Sequence, residues 1–169
     1  MLKTTKTLLR SPLSEDKEFL IKLRNDIDLQ VMLMSRPKAN PPSKIESWLN
    51  QQLSDEHIVF FIIADAEGGF PVGYIQLVKM DFLNKKCELG VCIDIQYHGK
   101  GYATDAFKLL EIYAKKIFNM NKIVISVLVK NKRAISFYEK MLYRSVGILK
   151  ADFYFDNEFH DVLLMEKMI

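Results

Sequence analysis

The sequence predicts a mixed α/β (α+β) fold, a central twisted mixed sheet of about seven strands flanked by about four helices. Three observations carry that prediction. Apolar runs of strand length recur at Ile58 to Ala64, Val72 to Lys79, Lys86 to Ile93 and Ile123 to Val129. Helical periodicity interrupts them, most clearly over Tyr102 to Phe118. The order strand 86–93, helix 102–118, strand 122–129 is that of a parallel βαβ unit, whereas the strands before and after it follow one another through turns and should pair antiparallel. Residues 1–169 read as one domain, long enough to bury roughly 70% of the surface of the unfolded chain.

Taken in order, Thr5 to Arg10 alternates loosely and stops at Ser11-Pro12, a first strand closed by a turn. Ser14 precedes Glu15-Asp16 and reads as the N-cap of a helix whose apolar stripe is Phe19, Leu20, Leu23 and Ile27. Pro37, Pro41 and Pro42 make residues 35–43 a loop, and a second helix follows from Lys44 to Gln52 with Ile45, Trp48 and Leu49 inward. Gly68-Gly69 joins strands 58–64 and 72–79 as a hairpin, and a turn at Asn84 leads into strand 86–93. Gly90 inside that strand predicts a bulge or a close approach by another group. On helix 102–118, Ala103, Ala106, Phe107, Leu110, Tyr113, Ala114 and Ile117 form the face that packs on the sheet. A further helix carries Ala134, Phe137 and Tyr138, and a hairpin from Tyr143 to Met168 completes the sheet.

Composition narrows the function classes. Apolar residues at 49% and charged residues at 27% are ordinary for a globular protein. Residues 1–84 hold 10 Lys/Arg against 11 Asp/Glu and residues 85–169 hold 14 against 10, so the excess of four positive charges lies in the second half. That suits a cofactor with several phosphates and falls far short of a nucleic-acid-binding stripe. Cys87 and Cys92 are five apart in one strand, on opposite faces, and cannot pair with each other. His57, His98 and His160 are scattered, so no metal site is expected. The N-terminus has no apolar signal core and no run approaches the ~20 residues that span a bilayer, which points to a cytoplasmic protein without membrane partners.

The most informative segment is Gln96-Tyr97-His98-Gly99-Lys100-Gly101-Tyr102-Ala103, between a strand and the first turn of a helix. Gly99 and Gly101 permit positive φ, so successive amide N–H groups can converge on one anion with the helix dipole behind them. The spacing is neither Gly-x-Gly-x-x-Gly nor Gly-x4-Gly-Lys-Ser/Thr, and a plain tight turn would explain the loop by itself. The downstream order changes the balance: a Val/Ile-rich strand, then Asn131, then Ala134 and Phe137-Tyr138-Glu139-Lys140, about thirty residues after the loop. With these residues the chain resembles the GNAT superfamily of acyl-CoA N-acyltransferases. The resemblance is strongest over 86–143, and Val146-Gly147-x-Leu149, Phe155-Asp156-Asn157 and Phe159 to Met165 are similar to the branch of ribosomal-protein N-terminal and spermidine acetyltransferases.

The resemblance implies an N-acetyltransferase that uses acetyl-CoA, with the cofactor held by Val91, Ile93, Gln96, His98, Gly99, Lys100, Gly101, Tyr102, Ala103 and Asn131. It implies Tyr138 as the general acid for the departing thiolate, since a phenol with a pKa of ~10 can supply a proton or a strong hydrogen bond. Glu88 would face the attacking amine, against the plainer reading of an exposed carboxylate. Lys100 is either a phosphate contact or a solvated loop lysine, and Asn131 a pantetheine contact, a helix cap, or both. The family's glycine after the Phe-Tyr-Glu-Lys helix is replaced by Leu142, which predicts that this helix ends differently. The acceptor would be a polyamine, a nucleotide-linked amino sugar (Leu23-Arg24-Asn25-Asp26 faintly resembles a segment of those enzymes) or a protein N-terminus. A non-catalytic acyl-CoA sensor on the same fold is the alternative. Exposed edge strands leave room for a homodimer.

Overall fold

In the computed structural model, which describes residues 2–169, one seven-stranded sheet separates two apolar cores. Its strands are β1 (Thr7–Arg10), β2 (Val59–Asp65), β3 (Pro71–Asp81), β4 (Lys86–Ile93), β5 (Lys122–Leu128), β6 (Arg144–Phe155) and β7 (Glu158–Met168). Five helices flank them: α1 (Asp16–Arg24), α2 (Ile27–Met32), α3 (Pro42–Ser54), α4 (Tyr102–Phe118) and α5 (Lys132–Lys140). The order across the sheet is β1-β2-β3-β4-β5-β7-β6, with β4 and β5 parallel and every other pair antiparallel, as the sequence predicts. A one-residue turn of the pleat reverses a side chain's face, so Cys87 packs in the α4 core and Cys92 in the opposite core with Tyr74, Leu20 and Leu23. Phe107 of α4 is fully buried against Phe137, Tyr138 and Tyr143.

Four features differ from the sequence reading. The predicted first helix breaks into α1 and α2, raising the count from four helices to five, because the Asp26 carboxylate accepts the Leu29 N–H at 3.0 Å and starts a new helix. Ile27 leaves the stripe and is 47% exposed. Ser14 is not the α1 cap. The buried Asp16 instead accepts the Leu13 N–H and both arms of the Arg10 guanidinium at 2.6 and 2.9 Å, tying α1 to β1. On α4, Ile117 lies outside the packed face, 61% exposed. Finally, the bulge is in β3 between Val78 and Asp81, where Lys79 takes φ 50°, while Gly90 pairs regularly with Gln76. Gly90 serves a close approach: a Cβ there would lie 3.2 Å from Gln76 Nε2.

Two turns close the C-terminal part. Asp156 and Asn157 both adopt left-handed backbone (φ 53° and 60°), the type I′ geometry whose twist matches a two-residue hairpin. The end of α5 is a Schellman motif despite Leu142: the Tyr143 N–H reaches the Tyr138 carbonyl at 3.0 Å, the Leu142 N–H reaches Glu139, and Leu142 itself takes φ 69°. The helix therefore ends as a glycine-capped one would, and the conformational cost falls on a leucine that is 76% exposed.

Leu142→Gly should therefore stabilise the fold. A left-handed leucine costs about 1–2 kcal/mol and glycine's extra unfolded-state freedom returns about 0.5–1, a net gain of about 0.5–1 kcal/mol. Thermal unfolding should shift upward by roughly 1–4 °C for a chain of this length; a lower midpoint would show that the leucine makes a compensating contact.

Candidate functional site

The parallel ladder of β4 and β5 is short. Lys86, Cys87 and Glu88 pair with Lys122, Ile123 and Val124, and from Leu89 onward β4 has no partner on that side, while β5 stays paired with β7 through Leu128. The two strands thus part at Glu88 and leave a wedge between them. The Asp94 N–H bonds to Val72 of β3, so by the alternation of an antiparallel ladder the even residues of β4 address β3. The main-chain groups of Leu89, Val91 and Ile93 then face the wedge. His98 turns back on it: its Nε2–H donates to the Ile93 carbonyl at 2.8 Å, and its Nδ1 is buried without a partner.

At the open end of the wedge stands the glycine loop. The buried Asp94 caps the short 3-10 turn over Ile95–Tyr97, accepts from the Gln96 amide side chain at 3.1 Å and pairs with Lys22 at 2.8 Å. Burial opposes its ionisation, but Lys22 and the Gln96 bonds outweigh that and hold it below the ordinary aspartate range. Gly99 and Gly101 both have left-handed backbone (φ 74° and 91°), and a Cβ at either would meet nothing within 4 Å. Gly101 starts α4 with no side-chain cap, and the first intrahelical bond is Asp105 N–H to the Gly101 carbonyl, so the N–H groups of Tyr102, Ala103 and Thr104 have no helical acceptor. The side chains around this turn point elsewhere: Tyr102 donates to Asp65 at 2.7 Å, Asp105 accepts from Thr4 and Thr7, and the Lys100 ammonium lies 5.3 Å from the Tyr97 ring centre. What remains is an open cradle of backbone donors at a helix N-terminus, which fits an anion such as a pyrophosphate.

The second helix at the wedge is α5. Asn131 caps it, Oδ1 accepting the Ala134 N–H at 3.2 Å, which leaves the Nδ2 donors free. Tyr138 is half-buried against Phe107 and Tyr143, and its hydroxyl has no hydrogen-bond partner among the described residues. Burial pushes its pKa up to about 12. On the other face of the sheet Glu88 lines a cleft of ≈ 320 Å3 with Leu33, Met34, Ser126, Asp152 and Phe153, and pairs with Lys79 at 2.9 Å. The bulge in β3 is what brings Lys79 there.

The structure thus gathers the glycine loop, Val91, Ile93 and the N-termini of α4 and α5 around one wedge, with Glu88 at its apex. Gln96 contributes through its place in the turn, its side chain being committed to Asp94. Lys79, Asp94 and Gln76 escaped the sequence reading because no motif marks them; the β3–β4 register brings them together. Arg24 enters the sequence reading only within the Leu23-Arg24-Asn25-Asp26 segment, with no role of its own. Asp26, Asp156 and Glu158 are exposed and do not line the cleft.

The chain is similar to known proteins in sequence and in fold. Residues 6–143 match the model of the acetyltransferase (GNAT) domain. The chain is 24% identical over 150 residues to the spermidine N(1)-acetyltransferase of Vibrio cholerae, covering 89% of this chain and 86% of that protein. It is 29% identical over 119 residues to the spermidine N(1)-acetyltransferase of Escherichia coli K12, covering 67% and 62%. The crystal structure of the Vibrio cholerae enzyme with CoA and spermine superposes with a TM-score of 0.90 at 23% identity, over 98% of this chain and 96% of that one.

The cradle can be tested against a matched control. Gly69 also has φ near +70° and open space around its Cβ position, but it lies in the β2–β3 turn. Gly101→Val and Gly69→Val should both fold with comparable destabilisation of about 1–2 kcal/mol. Titration calorimetry should show acetyl-CoA affinity falling at least 100-fold for Gly101→Val alone; equal affinity in the two variants would sink the cradle.

Proposed function

The chain belongs to the GNAT acetyltransferase family, and on that footing we propose that it transfers the acetyl group of acetyl-CoA directly to a primary amine at the wedge between β4 and β5. The observation that carries the reading is the parting of these strands at Glu88 beside an uncapped helix N-terminus with two left-handed glycines. Acetyl-CoA would supply the thioester; the protein's own groups bind, orient and move protons. The N–H groups from Gly99 to Thr104 hold phosphate oxygens, and the main chain of Val91 and Ile93 supports the pantetheine arm as a strand would. The Val91 N–H, facing the wedge, is the donor for the carbonyl oxygen as it gains charge.

Tyr138 keeps its proton at Oη. Against a thiol of pKa ~8.5, full transfer from a phenol at about 12 is uphill by roughly 5 kcal/mol, so Tyr138 acts as a hydrogen-bond donor to the sulfur as the C–S bond breaks and the C–N bond forms, and the proton that the attacking nitrogen sheds ends on the thiolate, directly or through solvent. Glu88 receives the amine. Its exposed pair with Lys79 is worth at most about 1 kcal/mol, so an incoming ammonium displaces it at little cost. Polyamines are the first acceptors to assay, because the relatives are named for spermidine. A non-catalytic sensor would bind acetyl-CoA and release no thiol. We also assign the long outer strand β6, with Val146, Ile148 and Leu149 exposed, as the face for a second copy of the chain. Two buried cysteines with thiols raised by burial to about 12 fit a reducing cytoplasm.

The reading is tested by acetyl-CoA calorimetry followed by amine-dependent thiol release. Tyr138→Phe should lower kcat by about 100-fold or more while acetyl-CoA affinity stays within twofold; an unchanged kcat would remove Tyr138 from the reaction. The rate should rise with pH as the amine, pKa ~10, loses its proton. Because Tyr138 stays protonated until about 12, no downturn should appear near pH 10; a break there would assign it an ordinary phenol pKa.

A further inference from the structure

On the face of the sheet that carries Glu88, the layer formed by α1, α3 and β3 holds a charged group that the transfer reaction does not use. Arg24, at the end of α1, lays its guanidinium flat on the Trp48 indole, 4.2 Å from the ring centre, and Nη1 donates to the Tyr74 hydroxyl at 3.4 Å. Nε and Nη2 form the opposite edge, the two-pronged side that grips a carboxylate or phosphate. That edge has no partner: Nε is buried without a hydrogen bond, and Arg24 makes no ion pair among the described residues. The nearby carboxylates are engaged elsewhere, Asp94 by Lys22, Asp26 by the Leu29 N–H and Glu88 by Lys79. Two residues along β3 on the same face, Gln76 Oε1 is also buried with no donor.

The position is braced. Asn25 and Asn40 exchange hydrogen bonds at 2.7 and 3.0 Å, and the Asn40 side chain donates to the Arg24 carbonyl, clamping the 35–41 loop onto the end of α1. Tyr74 pairs with Cys92, four residues along β4 from Glu88 and on the same face, a separation of about 13 Å at the usual strand rise. An oriented guanidinium on a half-buried side chain, its Nε buried and its fork edge without an ion-pair partner among the described residues, asks for a pair of anionic oxygens, and the neighbouring Gln76 oxygen asks for a hydroxyl or N–H donor. A bare polyamine offers the donor and not the anion.

We propose that Arg24 is a specificity-determining residue of the acceptor site, binding a phosphate or carboxylate that the acceptor amine carries several bonds from its nitrogen. This deepens the transfer reading and rests on it for the place of the amine. The test is binding, so that it reads out independently of turnover: the protein saturated with CoA is titrated with glucosamine 6-phosphate, glucosamine, 6-aminohexanoate and hexylamine. The member of at least one pair that carries the anion should bind ten times tighter or more than its counterpart without it, and which pair shows it distinguishes phosphate from carboxylate. Arg24→Lys, which keeps the charge and loses the fork, should cut that preference several-fold, and Arg24→Met should abolish it. Equal binding within both pairs, or a preference that survives Arg24→Met, overturns the proposal. If Arg24→Met does not fold, Arg24→Lys decides alone, an undiminished preference being the contrary result. Failure of thiol release with every amine would count against the transfer reading and leave this binding result standing.

Discussion

The register of β4 against β5 governs the rest of the molecule. Three paired residues hold the strands parallel up to Glu88, after which β4 keeps its bonds to β3 and β5 keeps its bonds to β7. A sheet interior is normally the place where every backbone group is paired, and an unpaired row costs free energy comparable to lost hydrogen bonds unless something else fills it. Here the main chain from Leu89 to Ile93, with its Ile93 carbonyl taken by His98 and its Val91 groups facing the wedge, opens toward the N-termini of α4 and α5, whose own first N–H groups are unpaired by necessity. The wedge, the glycine cradle and the α5 end are therefore one construction: a slot of strand-like donors and acceptors leading to a helix dipole.

The packing keeps that slot from closing. Phe107 sits between α5 and the sheet, touching Phe137, Tyr138 and Tyr143. Behind it, Glu111 accepts from the Tyr143 hydroxyl and from Lys167, linking α4 to β7 in a half-buried group. The Schellman turn at Leu142 fixes the carbonyl of Tyr138 and so the pitch at which its side chain leaves the helix. These contacts set Tyr138 by three independent anchors, which is how a single phenol can be held without any bond to its hydroxyl.

Much of the fold was legible because it rests on periodicity and turn chemistry. The βαβ unit and the opposed faces of Cys87 and Cys92 follow from spacing alone, whereas the turn at Asp156-Asn157 comes with the family resemblance. The break at Asn25-Asp26 was hidden because Leu23 and Ile27 keep a helical spacing across it, and only the Asp26 side-chain bond reveals the new helix. Gly90 was legible as a special position and not as to which kind, since a bulge and a close approach leave the same single glycine in the sequence. The glycine cradle is written in a compact motif. The acceptor side is not: Arg24, Trp48, Tyr74, Gln76 and Glu88 come from four separate elements, and their meeting depends on the β3–β4 register, which a one-residue slip would undo.

The proposed cofactor surfaces are the β4 edge and the loop from Gly99 to Thr104. Hydrogen–deuterium exchange, followed peptide by peptide with and without CoA, tests that directly. Slowed exchange confined to residues 89–104 and the start of α5, with β6 and β7 unchanged, is the result predicted here. Protection that spares the wedge, or that falls on the hairpin instead, would contradict the assignment of the parted strands as the cofactor slot.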